Sequence, residues 1–246
     1  MRAVLRPMSL APPVLLAAAV ALLAAACATE PTTEAEASSV SVENGQQAYG
    51  VVEGRIGYRR LPTPDVSATD LVDFATSTQG MPFVPVAGTG EILLVYFGYL
   101  SCPDVCPTTL ADFGRAIDEL PNDLAQRVSF AMVSVDAERD HGPQIVDYVT
   151  VFIDRGHGLL AADASGLAAA TEAFGVEFEI EEHDSDHTHV DSEDTHQDSA
   201  HAAYGVGHSA TVFAVDEDGL IIWEFTYPSR PDDLADALVS LFEERY

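Results

Sequence analysis

Two cysteines carry the chemistry that this chain offers most plainly. Cys102 and Cys106 stand four positions apart in the run Gly98-Tyr99-Leu100-Ser101-Cys102-Pro103-Asp104-Val105-Cys106-Pro107. Thiols this close cannot staple distant segments. They form a local pair suited to redox exchange, to metal binding, or to both. Of the eight histidines, His183, His187, His189, His196 and His201 are interleaved with carboxylates in 181–207. Such a tract can collect Cu(II) or Zn(II) weakly without building an ordered site. His141 and His157 show no partner pattern and read as surface residues.

The elements that must position the pair follow from periodicity. ILLVYFG (92–98) is short, apolar and rich in β-branched and aromatic residues, as in a strand covered on both faces. The cysteine loop comes next, and then PTTLADFGRAIDEL sets Leu110, Phe113, Ile117 and Leu120 at helical spacing. Pro107 suits the first turn of that helix and no later turn. Cys106 therefore falls at or beside a helix N-terminus, where unpaired N–H groups and the dipole favour a thiolate. VSFAMVSV (128–135) predicts a second buried strand, and 143–153 a helix with Ile145, Tyr148, Val149 and Phe152 on one face. A shorter helix is expected over 165–174 and a strand over 176–180. HSATVFAVDEDGLIIWEFTY reads as two strands joined by a tight Asp-Gly turn. Ser229 and Asp232 read as a capping pair for a last helix striped with Leu234, Ala237, Leu238 and Leu241. The weakly periodic stretch to about Gly90 predicts short strands or a hairpin. Strands alternating with helices imply a parallel βαβ unit, and the closing hairpin adds antiparallel strands. The fold class is α/β: a thioredoxin-like fold, with a central mixed β-sheet flanked by helices and a C-terminal hairpin and helix.

The remainder bounds where such a domain works. Arg2 and Arg6 precede an apolar run that ends in Ala24-Ala25-Ala26-Cys27. Residues 1–26 have the shape of a signal peptide and resemble the bacterial lipoprotein type, with Cys27 as the lipidated residue. That places the chain on the outer face of the bacterial cytoplasmic membrane; the alternative is a single N-terminal transmembrane anchor. Residues 27–50 read as a flexible linker. The domain then spans 51–246, with the His- and acid-rich insertion at about 181–207. The chain carries 40 Asp plus Glu against 11 basic residues, all Arg, for a net charge of −29. That surface repels phosphate backbones, excludes nucleic acid as a partner and favours metal ions and basic protein faces. No feature demands an obligate oligomer, so a monomer is expected.

The motif GY-x-x-CPDVCP after an apolar strand resembles the SCO/SenC family of copper chaperones. VSVDAERD (133–140) is similar to that family's VSVDPERD segment, with Ala137 in place of Pro. His208, in HSATVFAVDEDG, stands where the family has its ligand histidine, with Gly207 where the family usually has Asp. The resemblance covers roughly Ile92 to the C-terminus. It implies a copper site of Cys102, Cys106 and His208, with Asp136 and Asp140 supporting it or meeting a partner. It also implies delivery of copper to the binuclear copper site of cytochrome c oxidase, with that site's subunit as partner and an upstream copper donor. Two thiolates suit Cu(I), and an added imidazole makes a set able to hold Cu(II). The same cysteines also support a second reading, a dedicated thiol-disulfide reductase acting on the oxidase's copper-site cysteines. In that case Cys102 and Cys106 are catalytic; in the first the chain is a metallochaperone and no enzyme. Pro103 and Pro107 would stiffen the loop, and Tyr99 would shield the site.

Overall fold

Two seven-residue strands with every residue buried form the centre of the molecule. In the computed structural model, residues 48–50, 56–181, 205–208 and 210–246 are described, with side chains over 56–178 and 210–246. In chain order the elements are β1 (Ala48–Gly50), β2 (Arg59–Leu61), β3 (Leu71–Asp73), β4 (Met81–Phe83), β5 (Ile92–Gly98), α1 (Val105–Glu119), α2 (Asn122–Ala125) and β6 (Val128–Ser134). They continue as α3 (Gly142–Thr150), β7 (Gly156–Leu160), α4 (Ala164–Phe174), β8 (Phe178–Glu181), β9 (Gly205–His208), β10 (Thr211–Val215), β11 (Ile221–Thr226) and α5 (Pro231–Arg245). The main sheet has the order β11-β10-β5-β6-β7-β3-β4. β5, β6 and β7 are parallel, while the outer pairings β5–β10, β10–β11, β7–β3 and β3–β4 are all antiparallel. This is the mixed sheet that the sequence predicts, and the short strands expected before Gly90 are present.

Strand alternation sorts the core into two layers. Tyr96 and Phe130 face α1, where Phe113 stands 5.7 Å from Phe130 and 5.4 Å from Phe225. α5 packs beside α1 through Leu234, Ala237, Leu238 and Leu241, all buried. On the opposite face, Phe97, Phe174 of α4 and Phe213 meet edge to face. The β10–β11 turn closes on Gly219 at φ +77, while Asp216 Oδ1 accepts from the N–H groups of Asp218 and Leu220.

Three expectations need correction. β7 has no counterpart in the sequence reading, because Gly156, His157 and Gly158 lack the apolar β-branched signature. The glycines are there for α3: a Cβ on Gly158 would come within 2.5 Å of the Val146 backbone nitrogen, and one on Gly156 within 2.7 Å of the Val149 side chain. The predicted Ser229–Asp232 cap does not form. Ser229 Oγ donates to the Thr226 carbonyl at 2.6 Å, Asp232 pairs with Arg230, and α5 starts at Pro231 with no side-chain cap. His157 is not a free surface residue: its Nδ1 lies 2.9 Å from Asp73 Oδ2 and its ring 5.4 Å from that of Phe83. Burial alone would raise the Asp73 carboxyl, but His157 and the backbone N–H groups of Ala75 and Phe74 hold it below the usual range.

A buried ion pair fastens β2 to the sheet. The Arg60 guanidinium bonds the Glu224 carboxylate, donates to the Phe174 carbonyl at 2.6 Å and lies over the Phe213 ring. Burial pushes the Glu224 carboxyl up in spite of Arg60. Removing one partner strands the other charge in the core. Arg60→Met is therefore expected to lower unfolding stability by about 3–5 kcal/mol, and Arg60→Met with Glu224→Leu to recover most of that loss, both read by urea denaturation.

Candidate metal centre

β5 delivers the chain to the site and stops at Gly98. A Cβ there would meet the Tyr96 ring at 2.8 Å and both Cys106 Sγ and Met132 at 3.2 Å, so the bare backbone leaves room for a sulfur. The loop then turns, with the Cys102 N–H donating to the Tyr99 carbonyl at 3.3 Å. α1 begins at Val105, which makes Cys106 its second residue and Pro107 its third. That is the helix-start position expected for Cys106. Neither cysteine is in a disulfide; Cys106 is fully buried and Cys102 half-buried. The Cys106 N–H donates to Cys102 Sγ at 3.3 Å, and Tyr96 Oη donates to Cys106 Sγ at 3.4 Å.

The expected thiolate at the helix start is not what this environment favours. Burial, and next the neighbouring Cys102 thiol, push the Cys106 thiol up to about 12 in spite of the Tyr96 hydrogen bond. At neutral pH Cys106 is a thiol, and a metal that binds it must displace a proton. Tyr148 of α3, whose ring stands 5.7 Å from that of Phe152, responds to the cysteines in its titration, which the sequence reading missed. Burial, then the charges of Cys106 and Cys102, push its hydroxyl up to about 12. Its only sequence signal was a place in an apolar helical stripe, which is also the signal of ordinary packing. Tyr99, expected to shield the site, is buried.

The two aspartates are not solvated. Asp140 Oδ2 accepts from the Leu100 N–H at 3.0 Å and from the Ser134 hydroxyl at 2.6 Å, which ties the cysteine loop to the end of β6. Burial raises its carboxyl above the usual range in spite of those bonds. Asp136, 2 % exposed, pairs with Arg139 and takes Ser134 Oγ as acceptor for its own N–H at 3.0 Å. His141 precedes α3, and its carbonyl accepts from Gln144 and Ile145.

The backbone of His208 ends β9, paired with Phe178 of β8. Its side chain lies outside the described residues, as do Cys27, His183, His187, His189, His196 and His201. Among the described residues no group of three or more His, Cys, Asp or Glu side chains gathers to hold a metal. The described donors are therefore the two sulfurs. Adjacent, soft and outside any disulfide, they fit a thiophilic ion such as Cu(I).

The SCO1/SenC family profile matches residues 72–243. The chain belongs to the SCO1/SenC family. A Stutzerimonas stutzeri protein described as copper-binding is 25% identical over 162 residues, covering 66% of this chain and 71% of that one. The mitochondrial SCO1 homolog 1 of Arabidopsis thaliana is 33% identical over 98 residues, which are 40% of this chain and 29% of that protein. Among solved structures, Bradyrhizobium japonicum ScoI with copper bound superposes with a TM-score of 0.53 at 26% identity, covering 70% of this chain and 96% of that one. Apo Sco1 of Thermus thermophilus gives a TM-score of 0.54 at 28% identity, over 77% and 96%. The mixed sheet with its flanking helices is thus the thioredoxin-like α/β fold of the SCO1/SenC proteins, as the sequence predicts.

Asp140→Ala would leave the Leu100 N–H and the Ser134 hydroxyl without their acceptor. The expected loss is about 1–3 kcal/mol of stability by chemical denaturation, together with weaker metal binding by titration of the reduced protein. Unchanged metal affinity in a folded variant would mean that the clamp does not order the loop.

Proposed function

We propose that this chain is a membrane-tethered copper chaperone. It would hold one copper ion between Cys102, Cys106 and His208, and deliver it to the binuclear copper site of cytochrome c oxidase during assembly. The observation that carries this reading is the pair of adjacent cysteines after β5, neither in a disulfide and joined by the Cys106 N–H to Cys102 Sγ hydrogen bond, in a member of a family with copper-bound relatives. Copper is cargo here. The half-buried Cys102 is the sulfur that solvent and a partner can reach, and the fully buried Cys106 anchors the ion from below. Asp136 and Asp140 act through the loop, and the histidines of 181–207 would gather copper loosely nearby. The partners are the oxidase's copper-bearing subunit and an upstream donor, met by a monomer through an acidic surface that attracts basic faces. No helix among the described residues is long and apolar enough to cross a membrane. Tethering on the outer face of the cytoplasmic membrane would rest on residues 1–27, which lie outside the described residues, through a lipid on Cys27 or a single N-terminal transmembrane anchor.

The adjacency of two reduced thiols on a thioredoxin-like fold also favours the second reading, a reductase for the oxidase's copper-site cysteines. Titration of the reduced mature protein with copper separates the two. Tight one-to-one binding that is lost in His208→Ala and kept after deletion of 182–204 is the expected result. Binding indifferent to His208, or following only the deleted segment, would sink the three-ligand site and favour thiol exchange, which should survive His208→Ala. Cell fractionation tests the tether: Cys27→Ser is expected to move the protein out of the membrane fraction, and unchanged membrane retention would point to an anchoring helix.

A further inference from the structure

Tyr96 is the polar interruption in a strand otherwise built of Ile, Leu, Val and Phe up to Gly98, and it is wholly buried. A hydroxyl at such a depth needs a partner. Its Oη donates to Cys106 Sγ at 3.4 Å. The ring is fixed in place, 6.5 Å from Phe130 and directly beneath the empty position over Gly98. A phenol ordinarily ionises near about 10, so at neutral pH it remains a donor. Phenylalanine would fill the same volume without placing a polar atom in the core.

We propose that Tyr96 is a positioning residue for Cys106: its buried hydroxyl donates a hydrogen bond that occupies one lone pair of Sγ, leaves the others for the metal, and draws electron density from the sulfur so that bound copper is biased toward Cu(I). Hydrogen bonds to a cysteine sulfur are among the levers that set copper potentials, because a sulfur that gives less density stabilises Cu(II) less. The proposal rests on the copper reading above.

The test is Tyr96→Phe, with site-specific 3-fluorotyrosine at position 96 as the variant that keeps the ring and strengthens the donor. In the metal-free reduced wild type, NMR should show a slowly exchanging Tyr96 hydroxyl proton with cross-peaks to the Cys106 β-protons; their absence would overturn the hydrogen bond itself, whatever copper does. With Cu(II) bound, Tyr96→Phe should move the sulfur-to-copper charge-transfer band to lower energy. It should also raise the Cu(II)-over-Cu(I) affinity ratio about tenfold, equivalent to about 59 mV for one electron. Fluorotyrosine should move both the opposite way. A band and ratio unchanged in Tyr96→Phe, or shifted in the same direction by both variants, would overturn the tuning and leave Tyr96 a packing residue. A wild type that shows the hydroxyl cross-peaks but binds no copper one-to-one would overturn the copper reading, and the tuning with it, while the hydrogen bond stands.

Discussion

The cysteine loop depends on one carboxylate oxygen. Asp140 Oδ2 takes the Leu100 N–H and the Ser134 hydroxyl together, and the Val135 N–H reaches the Gly98 carbonyl at 2.9 Å just beside them. The exits of β5 and β6 are therefore bound to each other past the point where regular pairing ends. A buried carboxylate is costly unless its oxygens are used, and in a low-dielectric setting those that are used bind strongly. The rigidity of the loop, and with it the placement of Cys102, comes from a residue distant in sequence from the cysteines.

Two influences on Cys106 oppose each other, and their sizes decide the outcome. A helix N-terminus favours an anion by about 0.3–1 kcal/mol near the surface. Desolvation of a fully buried group shifts its titration by up to about 3–5 units, each worth about 1.36 kcal/mol. Burial wins, and the thiol stands at about 12. Cys106 is thus quiet toward casual electrophiles. It becomes active when something able to displace a proton, such as a soft metal ion, or able to exchange with the more exposed Cys102, arrives at the loop.

Much of this was legible in the chain. β5, β6 and the α1 stripe announced themselves because buried strands and amphipathic helices leave strong periodic marks, and the cysteine motif lies at their junction. The helix-start position of Cys106 followed from Pro107. The protonation of Cys106 did not, since depth of burial depends on Gly98, Tyr96 and Met132 meeting at one point. The grip of Asp140 on Leu100 was likewise invisible: an acid in a loop looks the same whether it faces water or a backbone N–H. Ser229 had the spacing of a cap, but its hydroxyl found the Thr226 carbonyl first.

β7 shows how far from the sulfurs the dimensions of the site are set. α3 lies so close over Gly156 and Gly158 that a single added methyl at either would collide with it. Tyr148, on that same helix, stands within electrostatic reach of both cysteines. Substituting either glycine would lever the helix outward and carry the phenol away from the thiols, although neither glycine touches them. The approach of α3 to the sheet is set by two missing side chains on a strand that takes no part in the cysteine chemistry, and a search for functional positions confined to the vicinity of Cys102 and Cys106 would pass over both.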